Sequence, residues 1–275
     1  MRIWTDWRRI NVTCAMCIET GKLACRKSRL KWLVLLQLAL GLPAQADDIR
    51  VAVAANFARP MQKIAALYAS HTGDRVLLSV GGTGKFYAQI RAGAPYDILL
   101  AADTSTPAKL AAQGMVWPGS RFTYAVGKLV LWSADPGRVD ANGSVLWRSD
   151  WHHLAIANRQ LAPYGQAAWQ VLGHLGLLTA TAARLVSGED IGQTWQFVAS
   201  GNAEIGFVAL SQVVGDDGRI RGSCWRVPQS LYIPVRQDAV ALMHSRGRPA
   251  VMTMLAFLHY DPQVLAIMSA YGYDH

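Results

Sequence analysis

The feature that most constrains this chain is a transition in which a short apolar run of strand character breaks into small residues and helical spacing begins at once. The clearest instance runs Leu78, Ser79, Val80, Gly81, Gly82, Thr83, Gly84, Lys85 and on to Phe86 and Ile90. A bare turn of this kind leaves backbone N–H groups without acceptors at a helix start, and together with the helix dipole they favour an anion in front of them. The first expectation is a small oxyanion held here.

Gly81 to Lys85 also spells part of a nucleotide-binding P-loop. That motif needs a glycine five residues before its Gly-Lys pair, and a Ser or Thr after the lysine to hold magnesium. Ser79 and Phe86 stand in those places, which argues against a nucleotide. On this stretch alone a ligand-free glycine turn stays open.

The same transition recurs. Ile49, Val51 and Val53 alternate before Ala54, Ala55 and Asn56, and Met61, Ile64, Ala65 and Tyr68 follow at helical spacing. Asn56 sits at that junction, where its plain role is a helix N-cap. A second strand over 75–79 leads into the opening turn, a third spans 96–101, and Asp103 to Pro107 start a helix over 108–113. Beyond Gly127 an apolar strand over 128–133 carries the chain to a second lobe, after a strand over 154–157 the run Ala162, Pro163, Tyr164, Gly165 precedes a helix over 166–172, and Ser187 to Gly192 open one reaching about 199. A strand over 205–209, a return crossing over 228–234 and helices over 249–260 and 262–271 complete the chain, with no internal repeat.

This order predicts an α/β fold of two lobes, each a mostly parallel sheet flanked by helices. Residues 47–127 plus 234–275 form lobe 1 and 128–233 lobe 2. Ligands of such sheets lie outside the carboxyl ends of the strands, where Asn56 and Thr83 both fall.

With 16% charged and 52% hydrophobic residues, the chain is of packed globular type. Its net charge of +9 suggests nucleic acid, but eight bases and two acids in the first 46 residues carry +6 of it, leaving 19 bases against 16 acids. No basic helix or stripe remains, so no nucleic-acid partner is expected. Arg26, Lys27, Arg29 and Lys31 precede an apolar core over 32–42 and then Pro43, Ala44, Gln45, Ala46. That is a signal peptide over 1–46, cleaved after Ala46 for export to the periplasm, with a start codon that can lie further in. A membrane anchor would need about 20 apolar residues, roughly twice this core. Cys14 and Cys17 form a CxxC without a second pair, Cys25 is also in the leader, and the exported part keeps only Cys224, so it forms no internal disulfide.

Four stretches together resemble one family. They are Val53 to Asn56 with Met61; Ser79 to Thr83 with Gln89 to Asp97 and Ala101 to Asp103; Ala162 to Gly165; and Gly188 to Ile191 followed by Gly206, Phe207, Val208. In order and spacing the chain from about Ile49 to Tyr271 resembles the periplasmic molybdate-binding proteins of ABC transporters, type II solute-binding proteins with two α/β lobes. The resemblance implies that Asn56, the Thr83 hydroxyl and the backbone amides of Tyr164 and Ile191 face the oxyanion, with Gly82, Gly84 and Ala209 as further contacts. Some members place a tyrosine hydroxyl where this chain has Ala209, which leaves one donor to be replaced; the Tyr164 hydroxyl is a candidate. The implied ligand is molybdate or tungstate, so molybdenum enters only as the bound oxyanion and no cofactor is needed. The implied partner is a molybdate ABC permease in the inner membrane, served by a monomer that is not an enzyme.

The chemistry is consistent with that set. Molybdate, tungstate and sulfate are fully ionised at neutral pH, so every oxygen accepts hydrogen bonds, and neutral donors suffice because bonds to an ion are about twice as strong as neutral ones. Lys85 is a solvated first-turn residue. Hydrogen phosphate would also need an acceptor for its proton; Glu189 and Asp190 are available in type, but as first-turn acids they read as capping residues. Molybdate and sulfate share charge and shape, so a cleft must separate them by size, and a sulfate receptor remains the alternative. An enzyme on this fold would need a charged catalytic set and a sensor a further segment. His152 and His153 are adjacent rather than at i, i+4, and Ser211 and Ser223 lack a nucleophile-elbow context, so neither metal centre nor hydrolase is expected. The seven tryptophans after residue 46 serve core or hinge packing.

Overall fold

Val51, Ala52, Val53 and Ala54 are buried on both faces, as small and β-branched residues allow in a strand covered from two sides. The computed structural model that places them describes residues 46–275; the rest of the leader, with its three cysteines, lies outside the described residues. In chain order the elements are β1 (Asp48–Ala54), α1 (Ala58–Thr72), β2 (Arg75–Gly81), α2 (Thr83–Arg91), β3 (Ile98–Leu100), α3 (Ser105–Ala112), β4 (Phe122–Gly127) and β5 (Leu129–Ser133). They continue with β6 (Leu154–Ala157), α4 (Pro163–His174), α5 (Leu178–Thr181), β7 (Leu185–Gly188), α6 (Ile191–Ala199), β8 (Ile205–Ala209) and α7 (Leu210–Val213). The last are β9 (Ser223–Arg226), β10 (Val235–Ala241), α8 (Pro249–Tyr260) and α9 (Pro262–Ala270). Gly73, at φ 81°, ends α1 in the left-handed conformation that glycine adopts without penalty.

Two five-stranded sheets share one plan: β2-β1-β3-β10-β4 and β7-β6-β8-β5-β9. In each, three strands run parallel through βα crossovers and two pair antiparallel. The antiparallel partners include the strands that arrive from the other lobe: β5 follows β4 across Lys128, and β10 follows β9. Such a strand needs no helical crossover, so its direction is free, and each sheet is mixed.

Apolar clusters cover both faces of each sheet. Met61, Ile64, Leu255 and Met268 lie on one side of the first and Phe86, Ile90 and Leu110 on the other. Leu154, Ala168, Leu172 and Phe207 against Val130, Val198 and Val208 do the same for the second. Asp97, fully buried, accepts the Arg50 amide at 2.7 Å and the Arg248 guanidinium at 2.6 Å, fastening the entry to β3 onto β1 and the C-terminal region.

Strands β4, β9 and β10 have no counterpart among the elements read from the sequence, and β7 runs into the turn expected from Ser187. In β7 only four residues precede the turn. The strand β10 carries Gln237 and Asp238, both buried, which mimic a loop until their distant partners are known.

Candidate functional site

Strand register decides where the turns meet. Ala54 pairs with Gly81 at the ends of β1 and β2, and Ala157 with Gly188 at the ends of β6 and β7. Each sheet therefore presents neighbouring turns along one edge, and the two edges face a common cavity. Its volume of about 10 Å³ leaves no room for a sugar or an amino acid. Asn56, Gly82 and Thr83 line it from the first lobe and Tyr164, Asp190 and Ile191 from the second.

The lobes touch around this cavity. The Gly84 amide donates to the Leu161 carbonyl at 3.2 Å, and a Cβ on Gly82 would lie 3.0 Å from the Asp190 Cβ. Further along, Arg59 and Lys63 of α1 reach Asp216 of the second lobe at 3.2 and 2.9 Å. The Lys63 and Tyr271 bonds hold the Asp216 carboxyl down at about 2.

Three of the four sequence-predicted positions present donors at helix starts. Thr83 opens α2; its Oγ1 accepts the Ala102 amide at 3.0 Å, so the hydroxyl proton is turned to another acceptor. Tyr164 is the second residue of α4, behind Pro163. Ile191 opens α6, where Asp190 Oδ1 caps the amides of Gly192 and Gln193 at 2.8 and 3.0 Å. The N–H groups of Thr83, Tyr164 and Ile191 have no acceptor among the described residues, as first-turn amides require. Glu189 is exposed, and Lys85 is exposed and outside the cavity lining.

Asn56 departs from the cap expectation. It lies in a short 3-10 turn, and its side chain caps no helix. Instead Nδ2 donates to Gln237 Oε1 at 2.8 Å and Tyr273 Oη at 2.9 Å, while its carbonyl accepts from Ser211 Oγ and Tyr273 Oη. The Gly84 amide is engaged by Leu161, and Ala209, buried, donates its amide to Gln212 Oε1 at 3.0 Å and does not line the cavity. The Tyr164 hydroxyl meets Gln237 Nε2 at 3.2 Å.

Gln237, Tyr124, Tyr273 and Ser211 thus form a buried polar layer behind the site that no sequence motif marks. Their bonds span up to 217 positions, and only the fold brings them together. Burial pushes the Tyr124, Tyr164 and Tyr273 phenols up, so they keep their protons. His152 and His153 are exposed, and among the described residues no cluster of metal-ligating side chains occurs.

A cavity between two α/β lobes, rimmed by neutral donors from helix starts, defines a solute-binding protein. The chain belongs to the bacterial extracellular solute-binding proteins, whose family model matches residues 49–274. It is similar to molybdate-binding protein ModA of Azotobacter vinelandii, 53% identical over 234 residues that span 85% of this chain and 92% of that one. The ModA of Rhodobacter capsulatus is 49% identical over 86% of this chain and 92% of its own. The solved periplasmic molybdate-binding protein of A. vinelandii superposes with a TM-score of 0.81 at 44% identity, covering 82% of this chain and 99% of that structure. This is a family of binding proteins, not of enzymes.

Proposed function

We propose that this protein captures molybdate and tungstate between its closing lobes and delivers them to an ABC permease in the inner membrane. The observation that carries this reading is the donor set: Thr83, Tyr164 and Ile191 bring acceptor-free amides from both lobes to one small cavity, whose lining holds no Lys, Arg or His. The identity to molybdate-binding relatives supports the choice of ion. The donors divide into Asn56 and Thr83 on lobe 1 and Tyr164 and Ile191 on lobe 2, with boundaries at 47–127 plus 234–275 and 128–233 and Gly82 as a further contact. The anion then stabilises the closed form, which the permease recognises. The protein acts as a monomer in the periplasm, exported by a signal peptide cleaved after Ala46.

Calorimetric titration of the purified protein with molybdate, tungstate, sulfate and phosphate tests the reading. Tight binding of the first two with much weaker sulfate is expected. Sulfate binding as tight as molybdate would overturn the selectivity.

A further inference from the structure

Asn56 leaves one polar atom unexplained, because its Oδ1 is buried without a hydrogen-bond partner. In the same arrangement the Tyr164 hydroxyl accepts from Gln237 Nε2, and its own proton is left with the neighbouring Tyr273 phenol, which Asn56 Nδ2 already engages. The two ends of a carboxamide are alike in shape, and their assignment follows from the hydrogen-bond network. Turning both amides over gives the Asn56 oxygen and the Tyr164 proton partners and leaves the Asn56 nitrogen as the one unpaired group.

Asn56 Oδ1 then accepts from Gln237 Nε2 across 2.8 Å and from Tyr273 Oη across 2.9 Å. The single Tyr273 proton passes to it from the Asn56 main-chain carbonyl, which keeps the Ser211 Oγ bond. Gln237 Nε2 also reaches Tyr124 Oη at 2.9 Å, whose proton goes to the Ala101 carbonyl at 3.2 Å. Gln237 Oε1 takes the Tyr164 proton. Asn56 Nδ2 is left with its protons for the cavity that Asn56 lines. A fully ionised oxyanion offers only acceptors, so an amide nitrogen attracts it and an amide oxygen repels it.

We propose that Gln237 is the positioning residue of the oxyanion site: held between Tyr124 and Tyr164, its amide turns the Asn56 carboxamide so that Nδ2 faces the ligand. The inference rests on the oxyanion-binding function proposed above. Gln237 lies on β10 of the first sheet and Tyr164 on α4 of the second lobe, so closure delivers the phenol that sets Gln237, which in turn sets Asn56. The pair occupies space that only a glycine at 127 leaves, since a Cβ there would overlap both Tyr164 Oη and Gln237 Nε2. Set in this way, Asn56 adds a donor to the cavity and presents no acceptor of its own to the ligand.

Side-chain amide NMR on the unaltered protein reads the orientation directly. The Gln237 Nε2 protons give stronger nuclear Overhauser effects to the Tyr124 ring than to the Tyr164 ring, and the Asn56 Nδ2 protons shift on adding molybdate. The reverse ring preference, with unshifted Asn56 protons, overturns the proposal. Gln237→Glu offers only acceptors, holds Asn56 the wrong way round, and weakens molybdate binding by more than about a hundredfold. Gln237→Met, similar in volume and uncharged, weakens it about tenfold. Both variants binding within a factor of about three of the unaltered protein refutes a positioning role. Absence of molybdate binding by the unaltered protein instead overturns the function, and the ring preference then still decides the amide orientation.

Discussion

Replacing Thr83 with Val separates the bond that its hydroxyl makes to Ala102 from the ligand bond proposed for it. Thr83 is 2% exposed, and its Oγ1 accepts the Ala102 amide at 3.0 Å, which leaves the hydroxyl proton free to donate elsewhere. Valine matches threonine in shape, so the change removes the hydroxyl with little change of volume. The lost hydrogen bond to a charged ligand is worth about 1.5 to 3 kcal/mol. At about 1.4 kcal/mol per tenfold, the dissociation constant rises between roughly tenfold and somewhat over a hundredfold.

The second loss has a different signature. The Ala102 amide is left buried without an acceptor, at about 1 to 3 kcal/mol, in the free and bound protein alike. That loss appears in urea unfolding and cancels from the affinity. Calorimetry with molybdate and urea melts of the ligand-free protein measure the two separately, and Thr83→Ser should restore most of both. Unchanged molybdate affinity in Thr83→Val would refute the assignment of the hydroxyl as a ligand donor. Unchanged stability would refute its role at Ala102.

Other perturbations give distinct outcomes. Gly82→Val places side-chain atoms against Asp190 across the cleft and should weaken molybdate binding by about tenfold or more by opposing closure, with little change in thermal stability. Asp97→Ala strips the Arg248 guanidinium of its buried partner and should lower unfolding free energy by about 3 kcal/mol while affinity holds. Burial raises the Tyr124, Tyr164 and Tyr273 phenols, so their contribution is complete below pH 10 and is lost as pH rises toward the folded-state values. Above pH 10 each should therefore remove about 1.4 kcal/mol of stability per pH unit, and Tyr164→Phe should show a shallower alkaline decline in urea melts. An equal decline would count against burial of that phenol.

Local signals in the sequence determined the βα alternation, the two-lobe plan and the strand-to-helix turns at Thr83, Tyr164 and Ile191. Each rests on residues within a few positions of one another: an apolar run, a small or capping residue, then helical spacing. Backbone amides at a helix start need no particular side chain, which is why Ile191 is legible from its turn and not from its chemistry.

Only the tertiary structure decided the rest. Asn56 looked like a cap because its neighbours in sequence are a strand and a helix, but its amide meets Gln237, 181 positions away. The strand β10 escaped notice because Gln237 and Asp238 are polar, and they are buried because Asn56, Tyr124, Arg121 and Thr123 satisfy them. A buried polar group is tolerable only with its partner in place, and such partners lie far apart in the chain. The strand-to-helix turns are written locally, while the orientation proposed for the Asn56 amide depends on contacts that exist only after the two lobes have folded and met.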